Sequence, residues 1–70
     1  MRNFSCFRFV SGCAVAELTF VVASSLERAM ELARRELRRD GGNSVEICEG
    51  QTLLCTIFAE EDQAASLLAA

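Results

Sequence analysis

Seventy residues, 51% of them apolar and 24% charged with a formal net charge of −3, describe one small globular domain and exclude a disordered or multidomain chain. Histidine and lysine are absent and all seven basic residues are arginine. Without histidine the commonest general base at neutral pH, and the partner that a cysteine nucleophile needs, are both missing. A core this small also leaves little stability for a strained active site, so the composition argues against an enzyme.

The chain opens with two runs rich in Phe, Val and Thr, residues 3–10 and 14–23, which read as strands. Between them Gly12-Cys13 predicts a two-residue loop, with Gly in the first position suiting a type II′ turn. That register sets Phe7 opposite Leu18, Ser5 opposite Phe20, Phe4 opposite Val21 and Cys6 opposite Thr19, and it joins Arg8 to Glu17 as an opposite-charge pair. The same stretch has a competing reading, because Val10-Ser11-Gly12-Cys13 looks like a lipoprotein cleavage box. An export signal requires an uninterrupted apolar segment of roughly 7–15 residues after a basic start, and here Arg8 breaks the run. The residues beyond Cys13, interrupted by Glu17, fall short of the ~20 that span a membrane. A hairpin in a cytoplasmic protein is the expectation.

Next, Ser24-Ser25-Leu26-Glu27 forms a capping box with Ser24 as N-cap. Leu26, Ala29, Met30, Ala33 and Leu37 then repeat at spacings of three and four, predicting an amphipathic helix over about 25–40 that stops at Asp40-Gly41-Gly42. Its arginines, Arg28, Arg34, Arg35, Arg38 and Arg39, alternate with Glu27, Glu31, Glu36 and Asp40, so the helix nets about +1 and a Glu31 to Arg35 pair at i,i+4 is expected. That interleaving reads as a salt-bridged outer face, with a phosphate-contacting helix as the alternative.

Residues 44–49 alternate polar and apolar, with Val45 and Ile47 inward. A turn at Glu49-Gly50-Gln51 leads into a last strand over 52–59, which has two readings. A longer loop or a bulge would face Leu53, Cys55 and Ile57 inward, whereas a tight loop at Gly50-Gln51 would turn Leu54 and Phe58 inward. The tail, 60–70, combines acids with good helix formers and reads as a short or frayed helix.

The order β-β-α-β-β predicts a single α+β domain over residues 1–70, with an antiparallel four-stranded sheet in the order 2-1-3-4 and the helix on one face. The helix is expected to cover Phe7, Phe9, Leu18, Phe20, Val22, Val45 and Ile47. Phe4, Val10, Val21, Leu54 and Phe58 would lie on the other face among Arg8, Glu17, Glu46 and Thr56, to be covered by Leu67 and Leu68 or by another chain.

The four cysteines do not have the spacing of a metal site. Cys6 and Cys13 stand as far apart as Cys48 and Cys55, with no close pair and no His, so reduced, space-filling thiols are expected, with neither metal nor cofactor. Asp40-Gly41-Gly42 follows a helix, whereas phosphate loops precede one. Outside the helix, Arg2 and Arg8 stand against Glu17, Glu46, Glu49, Glu60, Glu61 and Asp62, a net of −4. Those six acids are the candidate partner-binding residues, an acidic rim able to meet a basic protein surface.

Residues 26–58, with "SVEICEGQTLLCTI" after the helix, resemble small uncharacterised bacterial α/β proteins. In length, acidity and hairpin-helix-hairpin outline the chain is also similar to small phage-encoded anti-CRISPR inhibitors. That resemblance implies binding to a Cas or other nucleic-acid-handling protein, and it transfers no residue because it rests on no motif. The sequence therefore predicts a non-catalytic protein-binding module that avoids membranes and nucleic acid. A homodimer pairing its open sheet face and a weak nucleic-acid binder using the helix are the alternatives.

Overall fold

A computed structural model describes residues 1–59. Strands β1 (Arg2–Phe9) and β2 (Glu17–Ala23), helix α1 (Leu26–Asp40) and strands β3 (Ser44–Glu49) and β4 (Thr52–Phe58) follow in that order. All pairings are antiparallel and the sheet order is β2-β1-β3-β4, with α1 on one face. The expected helical tail over 60–70 lies outside the described residues, as do Glu60, Glu61, Asp62, Leu67 and Leu68.

The β1/β2 register is the expected one, from Arg2 opposite Ala23 to Arg8 opposite Glu17. The connection differs. The strands stop at Phe9 and Glu17, and the turn closes from the Cys13 amide to the Val10 carbonyl at 3.1 Å, so that Ser11 and Gly12 are its central residues. Gly12 takes φ 85° at the second central position, which a type II turn requires, instead of the first position of a type II′ turn. The type II′ pattern occurs instead at Gly50-Gln51, where Gly50 has φ 62° and Glu49 pairs with Thr52 around a two-residue loop.

Helix α1 starts one residue later than expected. Ser25, and not Ser24, is the N-cap, its Oγ accepting from the Arg28 amide at 3.2 Å. At the other end the Gly41 amide donates to the Leu37 carbonyl at 2.9 Å. The predicted stripe is the packed one: Ala29, Ala33 and Leu37 are buried, and Leu26 and Met30 pack at the margin.

Which face of the first hairpin α1 covers is the main correction. Phe4, Cys6 and Ala23 are buried beneath it with Val45, Ile47 and Ile57, while Phe9, Leu18, Phe20 and Val22 are exposed on the far side and Phe7 is half-buried. The pairing of β1 with β3 requires this, since Cys6 stands opposite Ile47 and Arg8 opposite Val45, and cross-strand partners share a face. Volume explains the preference. Ala29 and Ala33 let the helix backbone approach the sheet closely, over a face that combines small side chains, Cys6 and Ala23, with one fully buried aromatic, Phe4.

Both readings of the last strand hold in part. The loop is tight, yet the register slips between Ile47 and Cys48: Ile47 pairs with Cys55 and Cys48 with Leu53, so Leu54 is the extra residue of a bulge. The bulge resets the alternation. Ile57 is buried, Leu54 and Cys55 pack against the core, and Leu53 is exposed, contrary to its expected inward position; Phe58 also faces outward.

Candidate functional site

Arg8 is the most constrained charged residue among those described. Its side chain is 12% exposed and lies under the C-terminus of α1, where Nη1 donates to the Asp40 carbonyl at 3.1 Å and to the Gly41 carbonyl at 2.6 Å. Nη2 donates to Glu17 Oε2 at 2.6 Å, the cross-strand pair expected from sequence. A cation here answers both the free carbonyls and the negative end of the helix dipole. Nε is buried and makes no hydrogen bond among the described residues. Gly42 completes the joint: at φ 125° a Cβ would come within 3.2 Å of Arg8 Cγ, Leu37 Cδ1 and the Phe9 carbonyl. Asn43 ties three segments together, its amide donating to Phe9 O at 2.7 Å, its carbonyl accepting from the Ala59 amide at 2.9 Å and its Oδ1 from the Ser11 amide. The joint thus links β1, β2, the end of α1 and the start of β3.

The three candidate acids among the described residues, Glu17, Glu46 and Glu49, are not brought together. Glu17 is held by Arg8. Glu49 lies at the end of β3 and takes a bidentate contact from Arg2, at 2.7 and 2.9 Å, which pulls its carboxyl below the usual range; the Arg2 guanidinium also stacks 5.0 Å from the Phe4 ring. Glu46 stands alone on the opposite face, half-buried between Phe7 on β1 and Thr56 on β4. Thus the two arginines outside the helix neutralise two of the six acids. On α1, Arg28 pairs with Glu31 at 2.8 Å and Arg39 with Asp40 at 2.9 Å, whereas the expected Glu31 to Arg35 pair is not formed.

All four thiols are free. Cys13 is exposed in the turn, Cys6 is buried, and burial pushes the Cys6 thiol up to about 11, with Glu36, Cys48 and Cys55 adding to the shift. Burial also raises Cys55, opposed by nearby Arg34. Cys48 and Cys55 are not cross-strand partners. Among the described residues no group of three or more His, Cys, Asp or Glu is arranged to hold a metal ion.

The remaining feature is the face of the sheet that α1 leaves open. Leu18 (47% exposed), Phe20 (73%) and Val22 (56%) on β2, Phe9 (39%) at the end of β1, and Leu53 (53%) and Phe58 (47%) at opposite ends of β4 are exposed on it. Glu46 is the one charged side chain within it. At the 150–250 Å² that a large side chain buries, these six residues expose roughly 500–600 Å² of apolar area, the upper end for the largest patch on a monomer. The sequence pattern predicts an open face but places on it Phe4, which is in fact buried.

No helix among the described residues is long and apolar enough to cross a membrane. No family model, curated protein or solved structure matches this chain.

Proposed function

We propose that the protein is a non-catalytic protein-binding module that associates with a second copy of itself through the open face of its sheet. The observation carrying this reading is the exposure of Leu18, Phe20, Val22, Phe9, Leu53 and Phe58 on the face of the sheet opposite α1. Two such faces would bury about 1,100 Å² together, past the ~1,000 Å² that separates specific interfaces from chance contacts. An inhibitor of the anti-CRISPR kind, docking by its acids on a basic surface, is the competing reading. Of its three described candidate acids, Glu46 is the one outside an internal ion pair, Glu17 and Glu49 being held by Arg8 and Arg2.

Sedimentation velocity over a concentration series tests the proposal. The expected result is a reversible dimer that Phe20→Glu and, separately, Leu53→Glu convert to monomer with unchanged circular dichroism. A monomer at every concentration, or dimers indifferent to both substitutions, would overturn it.

A further inference from the structure

Among the described residues, the sheet order leaves one side of β2 without a partner strand. Natural edge strands are usually blunted by proline, lysine or a bulge, and β2, reading Glu17-Leu18-Thr19-Phe20-Val21-Val22-Ala23, has none of these and pairs with β1 without a register shift. Helix α1 overhangs this edge. Phe20, Val21 and Val22 on the strand and Leu32, Arg35, Glu36 and Arg39 on the helix line an open groove of about 370 Å³. The four helix residues recur at spacings of three and four, so they form one stripe parallel to the groove.

The charge of that stripe is uneven. Glu36 accepts from Thr19 Oγ1 at 3.4 Å, and Arg39 is held by Asp40 through two hydrogen bonds. Arg35 is exposed and takes part in none of the ion pairs found among the described residues. The groove therefore offers an unpaired backbone edge, an apolar lining and a guanidinium ready for a carboxylate.

We infer that the β2 edge is a binding site for an extended, acidic segment of another protein, which joins the sheet as a fifth strand. Its backbone pairs with β2, an apolar side chain enters between Val21 and Leu32, and a carboxylate two residues along meets Arg35. In strand addition the main chain supplies affinity and alternate side chains supply specificity, and Arg binds a carboxylate through two parallel donors. A second copy of this chain is the poorer occupant, because the only carboxylate of its β2, Glu17, is already held by Arg8. The site borders the proposed dimer face and shares Phe20 and Val22 with it, whereas Arg35 and the backbone edge of β2 belong to the groove alone.

The probe is a fluorescein-labelled peptide, Thr-Val-Glu-Val-Glu-Val-Thr, followed by fluorescence anisotropy and by amide chemical shifts of the labelled protein. Saturable binding is expected at up to millimolar concentration, with shifts concentrated in β2 and in Leu32–Arg39. Arg35→Glu, and separately lysine in place of both peptide glutamates, should each weaken binding about tenfold or more, the scale of a charge-assisted hydrogen bond. N-methylation of alternate peptide bonds, tried in both phases, should abolish it in the phase that faces β2. Absence of saturable binding, equal binding of the glutamate and lysine peptides, indifference to N-methylation in both phases, or shifts confined to the open face would each overturn the inference.

Discussion

At the scale of single residues, Arg8 behaves differently from what its neighbours in sequence suggest, and Cys6 behaves as they suggest. Arg8, in the middle of an apolar run, reads as an interruption, yet it is the cation under the end of α1 and holds Asp40, Gly41 and Glu17 together. Only the crossing of the helix over β1 could reveal this, because the carbonyls it binds lie 32 and 33 positions away. The Arg8–Glu17 pair itself was legible, since both residues belong to one hairpin. Cys6 reads as a filler and is one, with a consequence for pH. Its thiol pKa is raised to about 11 from 9.0, so the folded state holds that proton more tightly than the unfolded chain does. The resulting stabilisation is fully present below 9.0 and is lost as pH rises toward about 11. Denaturant midpoints should therefore fall across that window, and Cys6→Ala, although less stable throughout, should flatten the fall. An equal slope in both proteins would refute the assignment. Alkylation of the folded protein should modify exposed Cys13 first and Cys6 last.

At the scale of elements, α1 is the one whose packed face the periodicity identifies in advance, because a helix of 3.6-residue period with one apolar stripe has a single way to lie on a sheet. Leu37, 5% exposed, contacts the joint at Gly42 as well as the core. Leu37→Ala should cost about 2–4 kcal/mol, a large share of the stability of so small a domain. Arg35→Ala, on the groove side, should change stability by less than about 0.5 kcal/mol. Urea unfolding of the two variants checks the contrast, and equal shifts of the midpoint would mean that the helix packs in another phase. Strands carry less information of this kind. Both faces of β1 and β2 are apolar, so alternation establishes which residues share a face without saying which face is covered. In β4 a single bulged residue, Leu54, reverses the inward set partway along the strand.

At the scale of the whole molecule, α1 covers one side of a four-stranded sheet, and the proposed dimer uses the side that α1 leaves open. Association driven by that face should persist, or tighten slightly, as ionic strength rises, since apolar burial is not screened. Docking by the acidic groups would instead slow and weaken in salt. Glu46 sharpens the contrast: placed centrally on the open face, its charge opposes desolvation, so Glu46→Gln should tighten the dimer in sedimentation equilibrium. Dissociation on adding salt, or a weaker dimer in the Glu46→Gln variant, would return the contact to the acids.

The strand order, the hairpin register, the helix and its buried stripe are all determined by the sequence, because each rests on local spacing or on a pairing between neighbours in the chain. The side of the sheet that became core was decided only by the tertiary structure. That choice depends on the pairing of Cys6 with Ile47 across about 40 residues and on whether small or bulky side chains meet Ala29 and Ala33. The candidate acids divide along the same line: their count and sign, and the pairing of Glu17 with Arg8 inside one hairpin, are properties of the sequence, whereas the capture of Glu49 by Arg2 needed the folded sheet to bring β1 and β3 together.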